Sequence, residues 1–307
     1  MSNHPFADLP QRGKAPGSKR DLDAWITQAV SKTGILERRL SWMVASSVVI
    51  IALQRVLHTD GKPRFLLKGG TYLEIRLGLH TRATKDVDTM FRGDFEEFIA
   101  VLDSCLEPWG PFEMTRTKVE TIDNVSRIIK PRRFTIQLHL KGRVWRAIDV
   151  EVAPDEGSVG SRVESMPAPP LEYFGLPSVV LLAGIALDYQ VAQKIHACSD
   201  PHQPPESKND RVRDVVDLLL LRDAKYGDML DLRQLRQACI DVFAARYVEA
   251  EQLQIVPRSW PPTVVAYEHW QADFRRIRDE IGFAIDLADA VVAVNNWIGV
   301  IDAASVC

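Results

Sequence analysis

Phe65-Leu66-Leu67-Lys68-Gly69-Gly70-Thr71 runs as a short apolar strand into a glycine pair and a hydroxyl residue. After a helical interval, Thr84-Lys85-Asp86-Val87-Asp88 supplies a second strand with carboxylates at i and i+2. Alternate strand residues point the same way, so Asp86 and Asp88 share a face. Two carboxylates that close repel each other unless a cation sits between them, and oxygen-only ligands suit Mg²⁺. Glycines let the backbone approach a bound group closely, and the helix that follows aims its free N–H groups at that group. A phosphate cradle beside a Mg²⁺ site is the equipment of nucleotidyl transfer. Taken alone, the Asp86/Asp88 pair reads more readily as a solvated strand end or turn; the glycine pair before it and a later acidic strand shift the balance to chemistry.

That later strand is Ile148-Asp149-Val150-Glu151-Val152. Asp149 lies between apolar neighbours and is the expected third carboxylate, completing the metal site and drawing the proton from an acceptor; Glu151 shares its face as a weaker candidate. Lys194 lies on a helix with apolar flanks, and Asp214 and Asp217 stand at i and i+3 further on. A lysine on nucleotide phosphates, fixed by a neighbouring carboxylate, and an ordinary interhelical ion pair are both open readings. Residues 115–146 are locally basic, with Arg116, Lys118, Arg127, Lys130, Arg132 and Arg133 among them. They could track an RNA backbone or be a solvated sheet face. His80 and His196 have no metal-ligand spacing and read as structural or surface residues, and Trp260 and Trp270 as packing for the C-terminal helices.

Around these motifs the chain is ordinary. With a net charge of −3, bulk composition gives no hint of nucleic acid, so any such signal is local. Cys105, Cys198, Cys239 and Cys307 are scattered, which fits reduced thiols in a cytosol. No secretory signal is visible, and the apolar run Val44 to Leu53 is too short to span a bilayer. The expected organisation is α+β: a tail over 1–20, a domain over 21–165 with a mixed sheet and flanking helices, and a helical half over 166–307. Asp21 or Asp23 is expected to cap a first helix, Leu36 to Leu57 to form a second, and Asp94 to cap another that begins near Phe95. A hairpin should turn at Gly142, residues 154–170 should be a seam, and Ser178 to Ala197 should be one long helix.

The run LKGGTxLxxR from Leu67 to Arg76, the block from Arg82 to Asp88, Ile148 to Glu151, Ala192 to Ala197 and Arg211 to Leu218 together resemble the AbiEii-type nucleotidyltransferase toxins. These are the toxin halves of bacterial type IV toxin–antitoxin pairs, including mycobacterial members that modify tRNA. The resemblance runs from about Phe65 to Leu221 and implies a DNA polymerase β-like nucleotidyltransferase core followed by a helical C-terminal half. By position it implies Asp86, Asp88 and Asp149 as metal ligands and Lys194 and Asp214 as the lysine and aspartate of the later motifs. It puts Gly69, Gly70 and Thr71, with Lys194, on the nucleotide; many nucleotidyltransferases carry Gly-Ser where this chain has Gly-Gly-Thr. The activity it implies is Mg²⁺-dependent addition of nucleotide from an NTP to the 3′ end of tRNA, blocking aminoacylation and translation. Arg132 and Arg133 would face the RNA, the site of action would be the cytoplasm, and a cognate antitoxin would be the protein partner. Alternatives on the same fold are an aminoglycoside-type small-molecule nucleotidyltransferase and a non-catalytic binding protein.

Overall fold

The computed structural model describes residues 9–78, 83–123, 127–204, 207–223 and 230–304. Two helices come first, α1 (Lys19–Thr33) and α2 (Glu37–Leu53). The Ser18 hydroxyl caps α1 by accepting the Asp21 N–H, so the helix starts ahead of both aspartates expected to cap it. Asp23 instead accepts from Trp145 Nε1 at 2.9 Å and from Arg146 at 3.1 Å, a tertiary role that no local pattern reveals. Of the expected tail, residues 1–8 lie outside the described ones. Beyond them Arg12 is tied down: its N–H donates to the Glu172 carbonyl at 3.1 Å and its guanidinium lies 5.0 Å from the Trp25 ring. In α2 every residue from Met43 to Leu53 is buried, which makes it the central core helix; it ends at Leu53, short of Leu57.

The site region follows: β1 (Phe65–Leu67), α3 (Gly69–Leu77) and β2 (Asp86–Phe91). Asp94 caps the turn that leads into α4 (Phe98–Cys105), as its sequence suggests. After β3 (Phe112–Arg116) and β4 (Glu120–Thr121), β5 (Arg132–Leu140) and β6 (Arg143–Pro154) form the hairpin, turning at Lys141 and Gly142 with φ of 52° and 71°. β5 buries Phe134, Ile136, Leu138 and Leu140 in strict alternation. The expected seam holds β7 (Val163–Pro167), and β8 (Leu181–Ile185) lies inside the expected long helix.

That last difference is the main correction. Val179 to Ile185 is a short apolar run, for which hydrophobic periodicity does not separate strand from buried helix. Gly184 was the available signal: it faces Tyr72 and Met166 so closely that a Cβ would overlap the Tyr72 ring. The helix that remains is α5 (Leu187–Cys198), followed by α6 (Val212–Asp223), α7 (Leu232–Gln252), α8 (Gln271–Ile281) and α9 (Leu287–Ala303).

The strands form one mixed sheet in the order β3-β5-β6-β2-β1-β8-β7, with β4 paired to β5. β1 pairs antiparallel with β2 and parallel with β8, while β2 pairs parallel with β6. Phe65, Phe91 and Phe98 meet edge-on at centroid distances of 5.1–6.1 Å, locking β1, β2 and α4 together. The last strands β7 and β8 lie across and beyond residue 165, the expected domain boundary. The fold is therefore a mixed sheet with flanking helices and a helical C-terminal part, in which α5 packs on α6 and α7. Among the described residues, no helix is long and apolar enough to cross a membrane.

Candidate active site

β1 ends at Lys68, whose extended backbone (φ −147°, ψ −173°) breaks into α3 through Gly69 at φ 62°. Gly69 is required twice over: its φ is left-handed, and a Cβ there would overlap the Asp88 carboxylate. The turn is held at three points. The Lys68 N–H donates to the Asp88 carbonyl at 3.0 Å, the Gly69 N–H to Gln190 Oε1 at 3.0 Å, and the Thr71 hydroxyl to the Asp86 carbonyl at 2.7 Å. Thr71 is fully buried, so its hydroxyl fixes the start of α3 to the carboxylate strand instead of facing the cavity. α3 has no side-chain cap, and the N–H groups of its first turn have no acceptor within the helix.

The parallel register of β2 and β6 sets Asp86 beside Asp149 and Asp88 beside Glu151. Carboxylate oxygens of Asp86, Asp88 and Glu151 all lie within 4.8 Å of one another. Three half-buried carboxylates offering only oxygen form a donor set that fits a hard divalent cation. Asp149 lies outside this group: exposed, it accepts the Thr135 hydroxyl at 2.6 Å. Glu151, ranked second on sequence, takes the third position, and it also pairs with Arg133. Burial, and then the Asp86 charge, push the Asp88 carboxyl up to about 6. Thr84 Oγ1 lies 3.3 Å from Asp86 Oδ1 and donates to it.

Across a cavity of about 760 Å³, α5 and α6 supply the opposite wall. Lys194 Nζ donates to Asp214 Oδ1 at 2.8 Å and to Asp217 Oδ2 at 2.7 Å. The i, i+3 pair of aspartates thus meets the lysine, as its spacing suggests, and Asp217 is only 1% exposed. Lys68, Gly69, Gly70, Lys194, Asp214 and Arg246 all line the cavity, with Arg211 and Arg213 exposed at its rim. Burial, joined by the charges of Arg127 and Arg246, lowers the Lys68 ammonium below the usual lysine range against the pull of Glu156 and Asp88.

Sequence reasoning passed over Lys68, Gln190 and Arg246. Lys68 stood within the quoted motif and Gln190 beside Lys194, but Arg246, far along α7, gave no signal.

The basic segment is largely neutralised. Arg116 pairs with Asp103, Arg127 with Glu156, Lys130 with Asp123, Arg133 with Glu151 and Arg146 with Asp23. Arg132 donates to Thr121 Oγ1 at 2.9 Å. His196 packs on Phe243, with Arg258 Nη2 3.0 Å from its ring nitrogens, and burial holds its pKa well below the usual value. Trp260 and Trp270 donate to Asp302 and the Asn209 carbonyl, a structural role. His80, Arg82 and Cys307 lie outside the described residues.

Among solved structures, the chain is similar to MenT4, a nucleotidyltransferase toxin of Mycobacterium tuberculosis. The identity is 16% over 92% of this chain and 99% of that one, with a TM-score of 0.48. It is also similar to JHP933 from Helicobacter pylori, at 14% identity over 84% and 89% of the two chains, with a TM-score of 0.43. No curated protein matches the chain by sequence. The family model of the nucleotidyl transferase AbiEii toxin of type IV toxin–antitoxin systems matches residues 51–294, a span that holds the glycine pair, all four strand carboxylates and Lys194 with its aspartates. The chain belongs to the AbiEii family of nucleotidyltransferase toxins.

Proposed function

We propose that this chain transfers a nucleotidyl group from an NTP to the 3′ end of tRNA with Mg²⁺, blocking aminoacylation and hence translation. The observation that carries the transfer chemistry is the cavity. Asp86, Asp88 and Glu151 lie at one end, the uncapped start of α3 and Lys68 beside them, and Lys194 with Asp214 opposite. Asp86, Asp88 and Glu151 would hold Mg²⁺, which when bound offsets charge on the phosphates and the pyrophosphate leaving group. Gly69 and Gly70 let phosphate oxygens come close to the first-turn N–H groups of α3. Thr71 and Gln190 act behind them, keeping the turn against the carboxylate strand. Lys194, neutralised by two aspartates, orients the opposite wall. Asp149, exposed beside Asp86 in the register, serves as the group that receives the proton of the acceptor hydroxyl as it attacks the α-phosphorus.

The tRNA acceptor rests on the family, and exposed Arg211 and Arg213 at the rim support it better than the engaged Arg132 and Arg133 do. A cytoplasmic site of action and a cognate antitoxin go with the same reading. The ion pairing across residues 116–146 favours a small-molecule acceptor as a second reading, since it engages Arg116, Arg127, Lys130, Arg133 and Arg146, which could otherwise track RNA. Incubation of the chain with total tRNA, Mg²⁺ and each α-labelled NTP in turn tests both. Label on tRNA that disappears in Asp86→Ala is expected. No label on tRNA, with label instead on aminoglycosides, would overturn the tRNA acceptor.

A further inference from the structure

Three cations are buried or half-buried in the wall of the cavity: Lys68, Lys194 and Arg246. Lys194 is bound to Asp214 and Asp217, and Arg246 lies 2.9 Å from Glu156 and 3.4 Å from Glu249. The Lys68 ammonium makes no hydrogen bond and no ion pair among the described residues. Its position is fixed by its own backbone, because its N–H is tied to the Asp88 carbonyl and its carbonyl accepts the Tyr72 N–H that opens α3. The ammonium feels both Asp88 at the carboxylate end of the cavity and the Arg127–Glu156–Arg246 cluster. That cluster, with Glu249, has equal numbers of carboxylates and guanidiniums and does not call for a further cation.

We infer that Lys68 is the side chain that binds the triphosphate of the nucleotide, the role the sequence reading gave to Lys194. A lysine with no hydrogen bond or ion pair of its own among the described residues, next to three carboxylates that can hold a cation and beside the open N–H groups of α3, matches a ligand with several phosphate oxygens. Lys194 commits two of its three N–H donors to the aspartates of α6 and holds the wall together. The assignment rests on the nucleotidyltransferase reading, since it takes an NTP as the ligand.

The test is calorimetric titration of the full chain with α,β-methylene nucleoside triphosphates of all four bases, and with the matching monophosphates, in Mg²⁺. Wild type should bind one triphosphate at least about tenfold more tightly than its monophosphate, the size expected of a hydrogen bond to a charged group. Lys68→Met should cut that preference about tenfold, Mg²⁺ and the α3 N–H groups remaining, while leaving monophosphate affinity unchanged and the melting temperature no lower, since no protein hydrogen bond is lost and a charge disfavoured by burial is removed. Lys208→Ala, an exposed rim control already paired with Asp210, should keep the preference. A Lys68→Met protein that retains it overturns the assignment and leaves the nucleotidyltransferase reading intact. A wild type that binds no triphosphate overturns that reading and the assignment with it. Should Lys68→Met not fold, reductive methylation of wild type decides: triphosphate, and not monophosphate, should protect Lys68, and equal labelling overturns the assignment.

Discussion

Asp88 concentrates the chemistry of the site in one side chain. Its pKa is raised from 3.8 to about 6, by burial first and by Asp86 second. A carboxyl raised in this way favours the folded state below its unfolded pKa and loses that contribution as pH rises through its folded value. Without metal, Asp88→Asn should therefore melt about 2–4 °C above wild type at pH 7.5 and show no gain at pH 4. Saturating Mg²⁺ should close the gap by stabilising wild type alone; equal melting at pH 7.5 without metal would show that Asp88 carries no charge strain. Gly69→Ala tests the same point from the other side. The left-handed φ costs about 1–2 kcal/mol for a residue with a Cβ, and the overlap with Asp88 must also displace a metal ligand. Urea unfolding should show the stability loss and Mn²⁺ titration a weakened affinity; unchanged Mn²⁺ binding would contradict the close contact. At this scale the sequence was informative where the motif was dense, as at Gly69, Asp86 and Asp88. It ranked Asp149 above Glu151, which share a face, whereas nearness to Asp86 and Asp88 depends on the register with β2 and on Thr135 of β5. Neither is a local property.

The elements around the cradle depend on one another through buried polar contacts. Gln190 of α5 is 1% exposed, and it reaches across to accept the Gly69 N–H. It therefore joins the helical part to the β1–α3 turn at the point where phosphate is proposed to bind. Gln190→Leu should leave that N–H without a protein acceptor, at a cost of about 1–3 kcal/mol. Hydrogen exchange would locate the effect: the Gly69 amide should exchange faster while the amides of β5 keep their protection. Unaltered exchange at Gly69 would mean that Gln190 is not its acceptor in solution. Most elements were legible because their apolar runs or caps were strong, as in α2 and at Asp94. β8 was not, because a five-residue apolar run that pairs on both sides lacks the alternation that marks a half-buried strand.

Over the whole molecule, the segment after β6 and the helix α7 are joined by a buried ionic cluster. Arg127 Nη1 donates to Glu156 Oε1 at 2.8 Å, Arg246 Nη2 to the same oxygen at 3.1 Å, and Arg127 Nε lies 3.3 Å from Glu249. Burial alone would raise the Glu156 carboxyl, but Arg246, Arg127 and Lys68 outweigh it and hold the pKa below the usual glutamate value. Such a group contributes stability above its unfolded pKa and loses it as pH falls through the lower folded value, the opposite sense to Asp88. Acid should thus loosen this cluster at a pH where the carboxylate site is relieved of strain. At neutral pH, Glu156→Gln removes the shared carboxylate and leaves two buried guanidiniums facing each other with Glu249 alone to offset them. Breaking a buried pair by removing one partner costs about 3–5 kcal/mol, and the loss falls where α7 meets the sheet. Because β7 and β8 complete the sheet while α5 follows directly from β8, wild type should unfold in urea as one cooperative unit. Glu156→Gln should lower the midpoint and let the amides of α7 lose hydrogen-exchange protection at a lower urea concentration than those of β5 and β6. Coincident transitions with an unshifted midpoint would show that this cluster does not hold the two parts together, leaving Gln190 and the β1–β8 pairing to do so.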